Sequence, residues 1–357
     1  MIYLNNLLNN KFFVIFLAPF VLGALATLSL TPYSFTFINF FSFSILLFLI
    51  LVIKKKTQSK FRKKKSNRFY FYIGCAYGFG FFLFGNYWIS ISLTHDEVFK
   101  GLIPFSLILI PLFLSLFIGL VTLITGPFCD RKIYFIIFFS LVFSIFEFLR
   151  GNILTGFPWN LTSYTWSWSI PTIQVLSLIG SYSLSLISIT FFCIPFILFQ
   201  KKIIKNNLIF TIIFLFFFVF NYLYGLNKIN NNTYSFDKNL NIKIISPNFS
   251  LKEYNNKSEV QQLEKLIKIS NPQKNKKTLF IWPEGVFRES TLKDIDIYKN
   301  LFNEKFSKNH LIAMGINNQI ILDGSKNKKI YNSLVIINNE LEILSLYNKI
   351  KLVPFGE

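Results

Sequence analysis

The chain is poor in the residues from which metal centres and disulfide frameworks are built. Its 357 residues include three cysteines, Cys75, Cys129 and Cys193, and two histidines, His95 and His310. The cysteines form an odd, widely spaced set without a CxxC pair, so neither a disulfide framework nor a zinc site is expected. The histidines are too few and too far apart for a His-based metal site. Charge is scarce too, at 15% of residues, against roughly a quarter in an ordinary soluble domain. Acidic groups are scarcest: the first 226 residues hold only Asp96, Glu97, Asp130 and Glu147. This composition excludes a disordered chain and argues against a single soluble domain.

What is present instead is apolar: 52% of residues are hydrophobic and 19% aromatic. No charge occurs between Lys11 and Lys54, a run of 42 positions. That is room for two helices at about 20 residues per bilayer crossing, with a break at Thr31-Pro32. Further uncharged stretches cover 69–93, 102–125, 133–146, 170–198 and 207–226, so about seven spans are expected. The first apolar run continues directly into the second, which reads as a retained helix rather than a cleaved signal.

The net charge of +20 would by itself suggest nucleic acid or an anionic membrane surface as partner. Its distribution argues against nucleic acid, because the basic residues of the first part sit in short loops between lipid-length helices. Nine occupy the loop after the second span (Lys54, Lys55, Lys56, Lys60, Arg62, Lys63, Lys64, Lys65, Arg68). Arg131 and Lys132 follow the fourth, and Lys201, Lys202 and Lys205 the sixth; intervening loops hold little beyond Lys100 and Arg150. By the positive-inside rule the N-terminus and even-numbered loops are expected to be cytoplasmic, and residues after the seventh span to lie outside, in the periplasm or its equivalent. Trp88, Trp159, Trp166 and Trp168 fall near the outer ends, as an interfacial aromatic belt would. The connection 150–168 is uncharged after Arg150 yet rich in Gly, Pro and polar groups, so it belongs at the interface or along a protein-walled cavity. Either a simple interfacial loop or a docking surface for an acyl chain or headgroup fits it. Glu147 and Arg150, spaced i,i+3, are expected to form a structural ion pair.

Two domains follow: a transmembrane bundle over 1–226 and a soluble domain over 227–357. In the second, 239–246 alternates like a strand and 259–269 has apolar residues at helical spacing. A short apolar run at 278–282 reads as a buried strand, followed by a helix near 294–306 and strands at 310–315, 331–338 and 341–347. This order implies an α/β layered sandwich.

Two residues could do chemistry there. Glu284 directly follows the strand at 278–282, where α/β sheets usually place their sites; burial beside Trp282 would suit it to general-base work. Taken alone it reads equally as a solvated loop residue. Lys349 follows the last strand and precedes an apolar Leu-Val-Pro-Phe run, where a held ammonium could stabilise an oxyanion. Taken alone it is one more surface lysine.

WPEG at 282–285 and YNKIKLVPFGE at 347–357 resemble the carbon–nitrogen hydrolase (nitrilase) superfamily, and the LVPFGE form is similar to its membrane-bound branch, the apolipoprotein N-acyltransferases. FEFLRGNILTGFPWN at 146–160 and GFGFFLFGNYWISISL at 78–93 are similar to membrane segments of that family, in family order. The resemblance implies a Glu-Lys-Cys triad on a nitrilase-like sandwich. Glu284 matches the general base, Lys349 the lysine that stabilises the tetrahedral intermediate, and Glu357 a further active-site glutamate. It implies acyl transfer from a phospholipid donor, through a cysteine thioester, to the α-amine of a diacylglyceryl-cysteine apolipoprotein, with membrane lipids as surroundings and no metal or organic cofactor. The triad cysteine is expected beyond Glu357, so the chain is expected to be C-terminally incomplete, inactive alone, and to leave a sheet edge and apolar surface uncovered. The family commonly has His where Lys351 stands, and a Gln-Gly/Pro-Asn pattern where Ser246-Pro247-Asn248 stands; Tyr254 is the candidate for an aromatic expected shortly after. A membrane-tethered amidase and a non-catalytic membrane protein are the competing readings. Transport is disfavoured, since the span interiors are nearly free of charge.

Overall fold

The computed structural model describes residues 7–57, 63–94, 97–199, 205–232, 235, 237, 239–249, 256–285, 287, 289–321 and 328–352. The chain divides into two compact units, Met1–Thr233 and Tyr234–Glu357.

The first unit is helical: α1 (Ala18–Ala26), α2 (Ile38–Thr57), α3 (Lys63–Asn86), α4 (Ile103–Thr125), α5 (Ile133–Arg150), α6 (Leu176–Phe192) and α7 (Lys205–Asn231). Among the described residues, five helical stretches are long and apolar enough to cross a membrane: Ile38–Thr57, Glu97–Phe128, Ile133–Arg150, Leu176–Leu198 and Lys205–Asn231. A shorter apolar run, Phe13–Ser29, precedes them. Small residues let the helices touch. A Cβ added to Gly78 of α3 would lie 2.9 Å from the Ser115 Cα of α4, the close approach by which apolar helices gain contact without a hydrophobic driving force. Apolar side chains also face outward, with Phe216 and Phe220 of α7 exposed by 71% and 70%, as suits hydrocarbon rather than water.

The 150–168 connection is irregular, with left-handed backbone at Leu154, Gly156 and Asn160. Its polar groups are largely satisfied from within the protein, as irregular backbone at membrane depth requires. Arg150 Nη1 donates to the carbonyls of Phe157 (2.6 Å) and Trp159 (2.7 Å). Glu147 Oε1 accepts from the backbone N–H (2.9 Å) and hydroxyl (2.8 Å) of Thr162. This corrects the expected Glu147–Arg150 ion pair: each charge, buried at the end of α5, grips the connection separately. Trp166 also departs from the expected belt. Its ring stacks on Phe192 and its indole N–H donates to Ser188 Oγ (2.8 Å), whereas Trp88, Trp159 and Trp168 are exposed.

The second unit holds one five-stranded sheet in the order β1 (Asn241–Ile244), β2 (Thr278–Ile281), β3 (His310–Ile321), β4 (Lys328–Ile337), β5 (Ile343–Asn348). β1, β2 and β3 run parallel, and β3, β4 and β5 antiparallel. Parallel neighbours need crossovers, supplied by α8 (Glu259–Ser270) and by a 3-10 turn running into α9 (Lys299–Lys305). A capping box starts α8, with Ser258 Oγ and the Gln261 side chain each accepting the other's backbone N–H; left-handed Asn271 ends it.

Strand alternation assigns the two faces. Phe280, Ile312, Met314, Val335 and Ile337 meet Leu263 and Leu266 of α8 and Phe302 of α9 in the core. Burying side chains of this size contributes about 1.5–3 kcal/mol each. The opposite face carries exposed apolar residues, with Ile244 78% and Leu334 50% exposed. β3 extends past the expected 315 to Ile321, and the last strand begins at Ile343 because Leu341 adopts a left-handed turn conformation (φ 64°).

Candidate active site

β2 closes with its ladder bond from Trp282 N–H to the Ala313 carbonyl (2.9 Å). Pro283 then takes the chain out of the sheet, since it has no donor to continue the ladder. Glu284 follows, and Gly285 at φ 75° makes the turn. The Glu284 backbone lies against β3 where β3 has Gly315: a Cβ there would stand 3.2 Å from Glu284 Cα. Gly315 pairs with Leu334 and Asn317 with Asn332, so these residues share the face away from the helices.

Asn332 of β4 is the residue that reasoning from sequence missed. Its Nδ2 donates to Glu284 Oε1 at 2.5 Å, and its carbonyl accepts the backbone N–H of Lys349 at 2.8 Å. Glu284 and Lys349, 65 positions apart in number, are thus brought to one short stretch of β4. Around them stand further amides: Ser333 Oγ donates to Asn348 Oδ1 (2.6 Å), and Leu292 N–H donates to the Asn317 carbonyl (2.9 Å). Glu284 is solvent-exposed rather than buried beside Trp282, whose ring lies in the core with its indole donating to Ser270 Oγ (3.0 Å). A carboxylate can accept a proton and an ammonium can stabilise negative charge, which is the chemistry these two residue types offer. Glu357 and Tyr254 lie outside the described residues.

Cys75, Cys129 and Cys193 all belong to the helical unit, the last two buried. His310 is buried in the sheet unit, its Nδ1 accepting the Ser307 N–H (3.1 Å). Among the described residues no group of three or more His, Cys, Asp or Glu side chains could hold a metal ion.

Apolar helices of membrane-crossing length, joined in one chain to a mixed sheet crossed by helices, define the class: a membrane protein with an α/β domain. Residues 22–194 match the apolipoprotein N-acyltransferase N-terminal domain. Curated relatives bearing the name apolipoprotein N-acyltransferase include those of Rhodopseudomonas palustris, 25% identical over 77% of this chain and 53% of the relative, and Rickettsia prowazekii, 30% identical over 77% and 55%. That of Wigglesworthia glossinidia brevipalpis is 30% identical over 76% and 53%. The chain thus carries the N-terminal domain of the apolipoprotein N-acyltransferase family over residues 22–194. It spans about half the length of the curated relatives it matches.

Proposed function

We propose that this protein takes part in transferring a fatty acyl chain from a phospholipid to the N-terminal α-amine of diacylglyceryl-cysteine in lipoproteins. In this reading it is an acyltransferase of the bacterial inner membrane, with seven spans and the sheet unit on the periplasmic side as one half of a nitrilase-type sandwich. The observation that carries it is the hydrogen-bonded run Glu284–Asn332–Lys349 in a chain that carries this domain.

The chemistry proceeds in two halves. Glu284 takes the proton of a cysteine thiol, and the thiolate attacks the ester carbonyl carbon of the phospholipid. Lys349 stabilises the oxyanion, the ester C–O bond breaks, and the proton passes from Glu284 to the departing lysophospholipid oxygen. The lipoprotein amine then attacks the thioester, the C–S bond breaks, and the amine proton returns by way of Glu284 to the thiolate. Glu357 helps to order groups around the site. In this reading the thiol is one supplied from outside residues 1–357. A covalent intermediate makes the kinetics ping-pong.

The test uses the full gene product in lipid vesicles with acyl-labelled phospholipid and a diacylglyceryl-cysteine peptide. The expected result is a hydroxylamine-labile label on the protein, then label in amide linkage on the peptide. Release of free fatty acid whether or not peptide is present would instead identify a hydrolase that passes its acyl group to water, as the competing nitrilase-type reading expects, and no labelling would contradict both.

A further inference from the structure

We propose that Glu259 is a positioning residue for Glu284, acting through the backbone of the loop that carries it; this rests on the reading of Glu284 as the base. Among the described residues, the Glu284 side chain accepts a hydrogen bond from Asn332. The chain is tied to β3 on either side of Glu284, by Trp282 N–H to the Ala313 carbonyl and by Leu292 N–H to the Asn317 carbonyl. Glu259 anchors that stretch in between. Its Oε2 accepts the backbone N–H of Glu289 at 2.7 Å and of Ser290 at 3.1 Å, while Oε1 accepts the Tyr298 hydroxyl at 2.5 Å.

Glu259 is only 5% exposed, although a carboxylate in the first turn of a helix is ordinarily left in water. Its position there is favourable, because the N-terminal end of α8 carries partial positive charge. The geometry also requires an acceptor-only group. At least three donors converge on two oxygens, and a carboxylate can accept from all of them, whereas an amide turns its own N–H2 toward one and leaves a buried donor unpaired. Phe287, buried between Glu284 and Glu289, packs against Tyr298 at 5.8 Å. The anchor thus ties the first turn of α8, the turn before α9 and the far end of the Glu284 loop into one cluster.

The experiment uses the full gene product with asparagine selectively labelled with nitrogen-15, the Asn332 side-chain amide being identified by its loss in Asn332→Asp. Glu259→Gln should shift that amide toward the position of a solvent-exposed asparagine. Acyl transfer should slow about tenfold or more in kcat with KM unchanged, since a displaced base costs rate rather than binding. Tyr298→Phe, which removes one donor and keeps the core volume, should change both in the same direction by less. An Asn332 amide left in place in both variants would overturn the proposal, as would a shifted amide with undiminished transfer. If the unaltered protein transfers no acyl group, the proposed function fails alone, because the amide resonance reports positioning without turnover.

Discussion

Gly315 has no side chain where Glu284 comes closest to β3, and the contact sets a prediction. Gly315→Ala places a methyl group 3.2 Å from Glu284 Cα, so backbone has to yield. We expect a stability loss of about 1 kcal/mol but a larger fall in acyl transfer, measured by denaturant unfolding beside the vesicle assay; equal, small effects would argue against a close-fitting site. Glu259 adds a pH dependence. Burial opposes its ionisation, but hydrogen bonds from Ser290, Tyr298 and Glu289 outweigh it and hold the carboxyl below the usual carboxylate value. The Tyr298 hydroxyl is shifted up by burial and by its bond to Glu259, so it stays a donor. A carboxyl lowered on folding contributes stability above its unfolded value and loses it as pH falls through the folded one. Amide exchange at Glu289 and Ser290 should therefore quicken in acid below the ordinary carboxylate range, and Glu259→Gln should flatten that response. Glu284 and Lys349 were legible as motif residues next to strand ends. Asn332 was not, because in an asparagine-rich chain its role depends on β3–β4 register, which joins it to a residue 48 positions away.

Among elements, those with a clear period were readable and those held by tertiary bonds were not. Apolar spacing at Val260, Leu263, Leu266 and Ile267 marked α8, and the uncharged Thr278–Ile281 run marked β2. The length of β3 was concealed, since its second half, through Asn317 and Asn318, is polar and is held as a strand by pairing with β4. The connection 150–168 was recognisable as unusual, but its shape comes from Arg150 and Glu147 reaching forward to the 157–162 carbonyls and amide. Trp159 lies exposed on it, its carbonyl held by Arg150 and its ring 5.3 Å from Trp88. If this surface guides acyl chains, Trp159→Ala should impair acyl transfer several-fold while leaving the helical content, followed by circular dichroism, unchanged. Unchanged transfer would make the segment a passive connection.

For the whole molecule, composition alone separated a lipid-type bundle from an α/β unit. On the face of the sheet away from its helices, Ile244 and Leu334 are exposed. The orientation rests on loop charge: alkaline phosphatase fused after Asn230 should be active and one fused near Lys64 inactive, and the reverse would invert the topology. The central claim is that Glu284 and Lys349 converge as base and cation of an N-acyltransferase. It is tested most directly by mass spectrometry of a lipoprotein N-terminus from cells whose sole N-acyltransferase is the full gene product. The unaltered protein should yield triacylated lipoprotein, and Glu284→Gln or Lys349→Met should each yield only the diacylated form at normal protein levels. Full triacylation by either variant would contradict the account.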